Sequence, residues 1–136
     1  MAERSWTPAQ ADAIHARGGT LLVSAAAGSG KTAVLVQRVI ERITDEQHPS
    51  DADRLLVVTF TKAAAAEMRE RIAQQLSRML AEDPSNTALQ RQQILLGGAH
   101  ISTVHSFCSE LVRENFYKLN ISHDFRIADE GEMSIL

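Results

Sequence analysis

Residues Ser24–Thr32, SAAAGSGKT, place two glycines, a lysine and a threonine at a spacing suited to polyphosphate. A phosphate loop reads G-x-x-x-x-G-K-[ST]. Here Ala25 fills the first glycine position, and Ala26, Ala27, Gly28 and Ser29 are the variable ones. Gly30, Lys31 and Thr32 fall in register. Glycines allow backbone N–H groups to converge on phosphate oxygens. A helix starting there adds the positive end of its dipole. Lys31 is then the catalytic cation expected to reach the β- and γ-phosphates of ATP, and Thr32 the hydroxyl expected to ligate Mg2+. The competing reading is a glycine-rich turn that only links two elements; the lysine and threonine in register weigh against it.

Other candidates flank this loop. Gln10 lies in WTPAQADAI, just upstream. A glutamine amide can donate to N7 and accept from the amino group of adenine at once; the alternative is a solvated surface glutamine. Trp6 is open to two roles, stacking near a base or stapling the start of a helix. Thr59, Thr61 and Lys62 sit where an apolar run gives way to an alanine-rich one. There they could grip a nucleic-acid backbone, or Thr61 could simply cap the helix. Thr103, His105 and Phe107 occupy a similar position in STVHSFC. A hydroxyl and an imidazole can bind phosphate and an aromatic ring can stack on a base, whereas a packed or surface histidine is the plain alternative. Cys108 reads as a small buried hydrophobe. His15, His48, His100 and His123 have no metal-ligand spacing.

These residues need elements to hold them. Thr20–Ser24, TLLVS, reads as a buried strand, and Lys31–Ile43 as a helix with Val34, Leu35, Val39 and Ile43 at helical spacing. Residues 44–53 are polar and carry a proline, so a loop is expected. Leu55–Phe60 is a second strand. Lys62–Leu80 is an amphipathic helix with Met68, Ile72, Leu76 and Met79 or Leu80 on one face. Thr87–Leu96 is a helix ended by Gly97 and Gly98. Ala99–Val104 is a third strand. His105–Leu119 is a helix turning Phe107, Leu111 and Phe116 or Tyr117 inward, and Phe125–Ala128 a short fourth strand. Thr7 and Pro8 start a helix ahead of all of these. Strands alternating with helices imply an α/β fold with a mainly parallel sheet.

The composition narrows the class. The chain has 136 residues, the size of one domain, and one cysteine, which rules out an internal disulfide and fits a reducing, cytoplasmic setting. No apolar run approaches the ~18–20 residues of a membrane span, and the charged N-terminus is not a secretory signal. The net charge of -3 gives no overall nucleic-acid footprint. Residues 54–78 are locally basic, through Arg54, Lys62, Arg69, Arg71 and Arg78, a pattern that most often marks a solvated helix face.

Phosphoryl transfer also needs a carboxylate to hold Mg2+ and position water. The one candidate is FRIADE, Phe125–Glu130. Arg126 interrupts a run that a central parallel strand would keep apolar. Asp129 with Glu132 fits a helix cap and its third helical position, much like a capping box. Capping is the preferred reading, so the acid is expected elsewhere.

WTPAQADAI, SAAAGSGKT, VVTFTKAAAAEMRERI and ISTVHSFC, in this order, resemble the Q motif and motifs I, Ia and Ib of superfamily 1 helicases of the UvrD/Rep type. The likeness runs from about Trp6 to Glu132 and is strongest to the helicase/nuclease members. Alanine at the first loop position is normal there; Lys62 stands where asparagine is frequent and adds a charge. The resemblance implies a RecA-like P-loop fold, adenine reading by Gln10, phosphate and Mg2+ held by Ala25–Thr32, and single-stranded DNA near Thr61, His105 and Phe107. It implies an ATP-dependent helicase/nuclease that processes double-strand DNA ends for recombinational repair, as a heterodimer with an AddB-like second subunit. Residues 1–136 are then expected to be the first part of the motor domain, inactive alone, with apolar surface exposed where further strands would pair. Two rivals are a complete small P-loop NTPase or kinase, for which no arginine-rich lid is found, and a non-catalytic nucleotide-binding module.

Overall fold

The computed structural model describes residues 5–128 and 131. They fall into two compact units that meet in sequence between Thr103 and Val104. Asp129, Glu130 and Glu132, the candidates for an acid or a cap, lie outside the described residues.

The first unit opens with α1 (Pro8–His15). Pro8 takes the first helical position, where a missing N–H costs nothing. The helix start is closed reciprocally: the Gln10 N–H donates to the Thr7 hydroxyl (3.3 Å) and the Thr7 N–H donates to Gln10 Oε1 (3.0 Å). Helix α2 (Lys31–Ile43) has the expected bounds. After a 3₁₀ turn at Ala52–Arg54 come β1 (Leu56–Thr59), α3 (Lys62–Glu82), α4 (Thr87–Leu95) and β2 (His100–Thr103). Strands β1 and β2 pair in parallel, from Leu56 opposite His100 to Thr59 opposite Thr103. The fold is therefore mixed α/β around a small parallel sheet.

One face of that sheet is packed. Val57 and Ile101 meet Ala65, Met68, Ile72 and Leu76 of α3, with Val39, Ile40 and Ile43 of α2 and Leu89 of α4 completing the cluster. Ile72 and Leu76 are fully buried. A smaller cluster joins Ala13 and Ile14 of α1 to Val34 of α2, and Trp6 packs against it. The indole thus sits at the helix entry, in the manner of a staple.

Polar side chains tie the larger core. Buried Gln92 accepts from the Ala52 N–H (2.9 Å) and donates to Asp51 (3.0 Å), which Arg91 also grips with two nitrogens (2.7 and 2.8 Å). These partners hold the Asp51 carboxyl below its ordinary pKa, the Gln92 hydrogen bond most and then Arg91. Arg69 departs from the solvated-face expectation. Its guanidinium donates to the carbonyls of Leu96 and Ala99, both at 2.9 Å, and ties α3 to the entry of β2.

Two expected strands are not formed. Thr20–Ser24 has no ladder partner, and Leu22 is 91% exposed. A strand is defined by its neighbours, and among the described residues β1 and β2 bond only to each other. Phe125–Ala128 is likewise irregular. The second face of the sheet is open: Leu56 and Val58, alternating with buried Val57, are exposed, and Phe60 beyond the strand end is fully so. Parallel sheets are ordinarily covered on both faces.

In the second unit the expected helix over 105–119 is two, α5 (Val104–Glu114) and α6 (Phe116–Leu119). Asn115 interrupts it, its side-chain amide donating to the Leu111 carbonyl (2.9 Å), the local competition that disfavours asparagine within helices. No residue of α5 is buried, so Phe107 and Leu111 do not face a core, and Cys108 is exposed rather than buried. Phe116 meets Tyr117 and His123 edge-on, and Arg113 lies over the Phe125 ring at 4.7 Å.

Candidate functional site

The loop from Ala25 to Gly30 enters α2 through two glycines with positive φ, Gly28 at +78° and Gly30 at +85°. Both conformations are strained for any residue with a Cβ. A Cβ at Gly30 would come into van der Waals contact with Gln10 Nε2, 3.4 Å away, so the positive φ is what calls for glycine there. Gly30 is also the residue before the helix and supplies no side-chain cap. The first N–H groups of a helix have no intrahelical partner, so those of Lys31, Thr32 and Ala33 are free to serve an anion.

Lys31 curls back over the loop. Its ammonium donates to the carbonyls of Ala25 and Ala26, both at 2.7 Å. The cation is thereby held within the loop, where a phosphate would meet it. Thr32, second residue of α2, is exposed with Ser29 and Lys31. Its hydroxyl fits as one Mg2+ ligand. Among the described residues no group of three His, Cys, Asp or Glu side chains could hold a metal.

Gln10 is brought to the loop. Besides closing the α1 cap, its Nε2 donates to the Ser29 carbonyl (3.0 Å). Behind it, Arg38 of α2 donates to the carbonyls of Ala13 (2.7 Å) and Ile14 (3.2 Å) at the end of α1. Partial burial, with Arg17 and Arg42 nearby, lowers the Arg38 pKa from its ordinary value. Arg17 and His15 reach Glu41 at 3.8 and 3.4 Å. These contacts fasten α1 to α2, and Gln10 reaches from that pair to the loop.

The candidate nucleic-acid contacts separate. Thr59 and Thr103 lie side by side at the C-terminal ends of the two strands; in open α/β sheets that edge is where ligands bind. Thr103 is buried, and the Thr59 hydroxyl donates to the Thr61 carbonyl (2.9 Å). The Thr61 hydroxyl caps α3 by accepting from the Ala64 N–H (3.1 Å), and Lys62 is exposed. His105 and Phe107 belong to the second unit, on the first turn of α5, with His105 exposed and Phe107 half-buried. Phe60 was not among the sequence candidates. It stands fully exposed between Thr59 and Thr61. Its signal was an aromatic continuing the outward alternation of Leu56 and Val58 past the strand end.

The chain thus combines a small parallel α/β core with a glycine loop that carries Lys31 and Thr32 at a helix start. Residues 6–136 match the family model described as the UvrD/REP helicase N-terminal domain, and the chain belongs to that family. It is 59% identical over 137 residues to an ATP-dependent helicase/nuclease subunit of Acetivibrio thermocellus, covering 100% of this chain and 11% of that relative. The protein of the same name from Pelotomaculum thermopropionicum is 58% identical over 96% of this chain and 10% of its own length. That from Moorella thermoacetica is 54% identical over 98% and 10%. The chain thus spans about a tenth of the length of the curated relatives it matches. No helix among the described residues is long and apolar enough to cross a membrane.

Proposed function

We propose that this chain is the ATP-binding segment of a RecA-like P-loop motor in an AddA-type, ATP-dependent DNA helicase/nuclease. The whole protein would unwind and process double-strand DNA ends for recombinational repair in the cytoplasm, with an AddB-like partner. The observation that carries the reading is the loop itself: two glycines at positive φ lead into α2, and the Lys31 ammonium lies within the loop. The names of the relatives, ATP-dependent helicase/nuclease subunits, support the same assignment.

In this reading the free N–H groups at the start of α2 and the Lys31 ammonium bind the β- and γ-phosphates. Lys31 must exchange its two carbonyl partners for phosphate oxygens, a trade of neutral acceptors for charged ones. Gln10 lies beside the loop, where it can also address adenine. Mg2+ held by Thr32 and the phosphates would neutralise charge on the transferred group. Thr59, Thr61 and Lys62 at the end of β1 form the edge proposed for single-stranded DNA, with buried Thr103 beside Thr59 supporting that edge from β2. Phe60 offers a face for base stacking there; in the second unit, His105 and Phe107 are separate candidates for single-stranded DNA. In this reading residues 1–136 bind nucleotide without turning it over.

The test is ATP binding and hydrolysis by the 136-residue chain with and without single-stranded DNA, beside Lys31→Ala and Asp129→Ala. Binding that depends on Lys31, without turnover, is the expected result. DNA-stimulated turnover lost in both variants would make Asp129 the metal acid and overturn the partial-motor reading.

A further inference from the structure

We infer that Gln10 is a positioning residue for the phosphate loop itself, setting the loop's shape through Ser29 independently of the base of the nucleotide. The inference rests on the nucleotide reading given above and assigns Gln10 a role in gripping the triphosphate.

The carboxamide stands between two backbone groups of opposite kind. The Thr7 N–H donates to Oε1 (3.0 Å) and the Ser29 carbonyl accepts from Nε2 (3.0 Å). A donor on one side and an acceptor on the other fix one orientation of the amide, and each bond supports the other. The helix end of this link is rigid, because the capping box, Trp6 and the Ile14–Val34 contact hold α1 on α2. The loop end is not packed: residues 21–29 are all exposed. A peptide carbonyl at Ser29 pinned from outside fixes the plane that Ser29 shares with Gly30. The N–H of that plane belongs to Gly30, directly ahead of the α2 amides. One side chain therefore transmits the position of α1 to the part of the loop that must face phosphate.

Gln10→Glu separates this role from capping. A carboxylate still accepts from the Thr7 N–H, and a negative charge in the first turn suits the helix dipole. Its second oxygen, however, opposes the Ser29 carbonyl instead of donating to it. Affinities for ATP, GTP and inorganic tripolyphosphate, each with Mg2+, are measured by calorimetry on the unmodified chain, Gln10→Glu and Lys31→Ala, with thermal midpoints alongside. The expected result is a loss of about five- to tenfold for all three ligands in Gln10→Glu relative to the unmodified chain, the size of one hydrogen bond, with the midpoint unchanged or raised and the ratio kept when salt is raised. A ratio that vanishes in high salt would make the loss charge repulsion by the new carboxylate and overturn the inference. A loss confined to ATP would make Gln10 a base reader only and overturn the inference. A lowered midpoint accompanying the loss would reduce it to a helix cap and overturn it equally. If Lys31→Ala weakens tripolyphosphate and Gln10→Glu does not, this inference alone fails. If Lys31→Ala binds tripolyphosphate as well as the unmodified chain, the nucleotide reading fails and takes the inference with it.

Discussion

The two ends of α2 are held by different physics. Its C-terminal half enters the large cluster, where Val39, Ile40 and Ile43 meet α3, both strands and α4. Its N-terminal end receives an exposed loop whose described links are hydrogen bonds, from Lys31 to Ala25 and Ala26 and from Gln10 to Ser29. Burial is non-directional and hard to exchange. Hydrogen bonds to backbone carbonyls are directional, and each is worth only about 1 kcal/mol net, or about 1.5–3 kcal/mol where the donor is charged. A loop fixed in this way can hold its shape and still give up its contacts to a ligand. Stability and binding are therefore expected to be separable along this one helix.

The sharpest contrast is between two fully buried isoleucines. Ile72→Ala in the large cluster is expected to cost about 2–5 kcal/mol by denaturant unfolding. Ile14→Ala, in a cluster of three buried residues with an indole beside it, is expected at the lower end of that range because fewer neighbours line the gap. Equal losses would mean that α1 belongs to the main cooperative core. Gln92→Leu comes next. It keeps the volume but leaves the Ala52 N–H without its acceptor, with an expected loss of about 1–3 kcal/mol and no change in nucleotide affinity.

The smallest effect is at Asp51. Its pKa is lowered in the folded chain, so its contribution is fully present above the ordinary value of 3.8 and is lost as pH falls through the lower folded value. Melting midpoints of the unmodified chain and Asp51→Asn should therefore differ at neutral pH and converge below pH 3.8. A gap independent of pH would show that the carboxylate charge is irrelevant to the Arg91 and Gln92 contacts.

The elements that the sequence made legible are those whose cause is local. The bounds of α2 followed from a glycine before the helix and apolar residues at helical spacing, and α1 followed from Thr7 and Pro8. The buried stripe of Met68, Ile72 and Leu76 was visible because α3 has one apolar face. Thr20–Ser24 was misread because an apolar run states a preference for burial, and pairing is decided by other segments. The break at Asn115 was missed because the apolar spacing runs on through it. At the site, the residue types of the loop were plain. The Gln10–Ser29 bond spans 19 positions and depends on how α1 lies across α2, which no spacing rule encodes. The Arg69 contacts were hidden for the same reason, since a basic run gives no sign of carbonyls 27 to 32 positions away.

The central claim is that the loop binds a triphosphate through Lys31 while the apolar clusters supply the stability. The most direct measurement is the melting midpoint of the chain and of Lys31→Ala, each with and without saturating Mg2+ and ATP. A ligand that binds only the folded state raises the midpoint. The account predicts at most a small lowering of the midpoint by Lys31→Ala without nucleotide, from the two lost loop hydrogen bonds, and a rise on adding ATP in the unmodified chain alone. The same rise in both chains, or none in either, would contradict it.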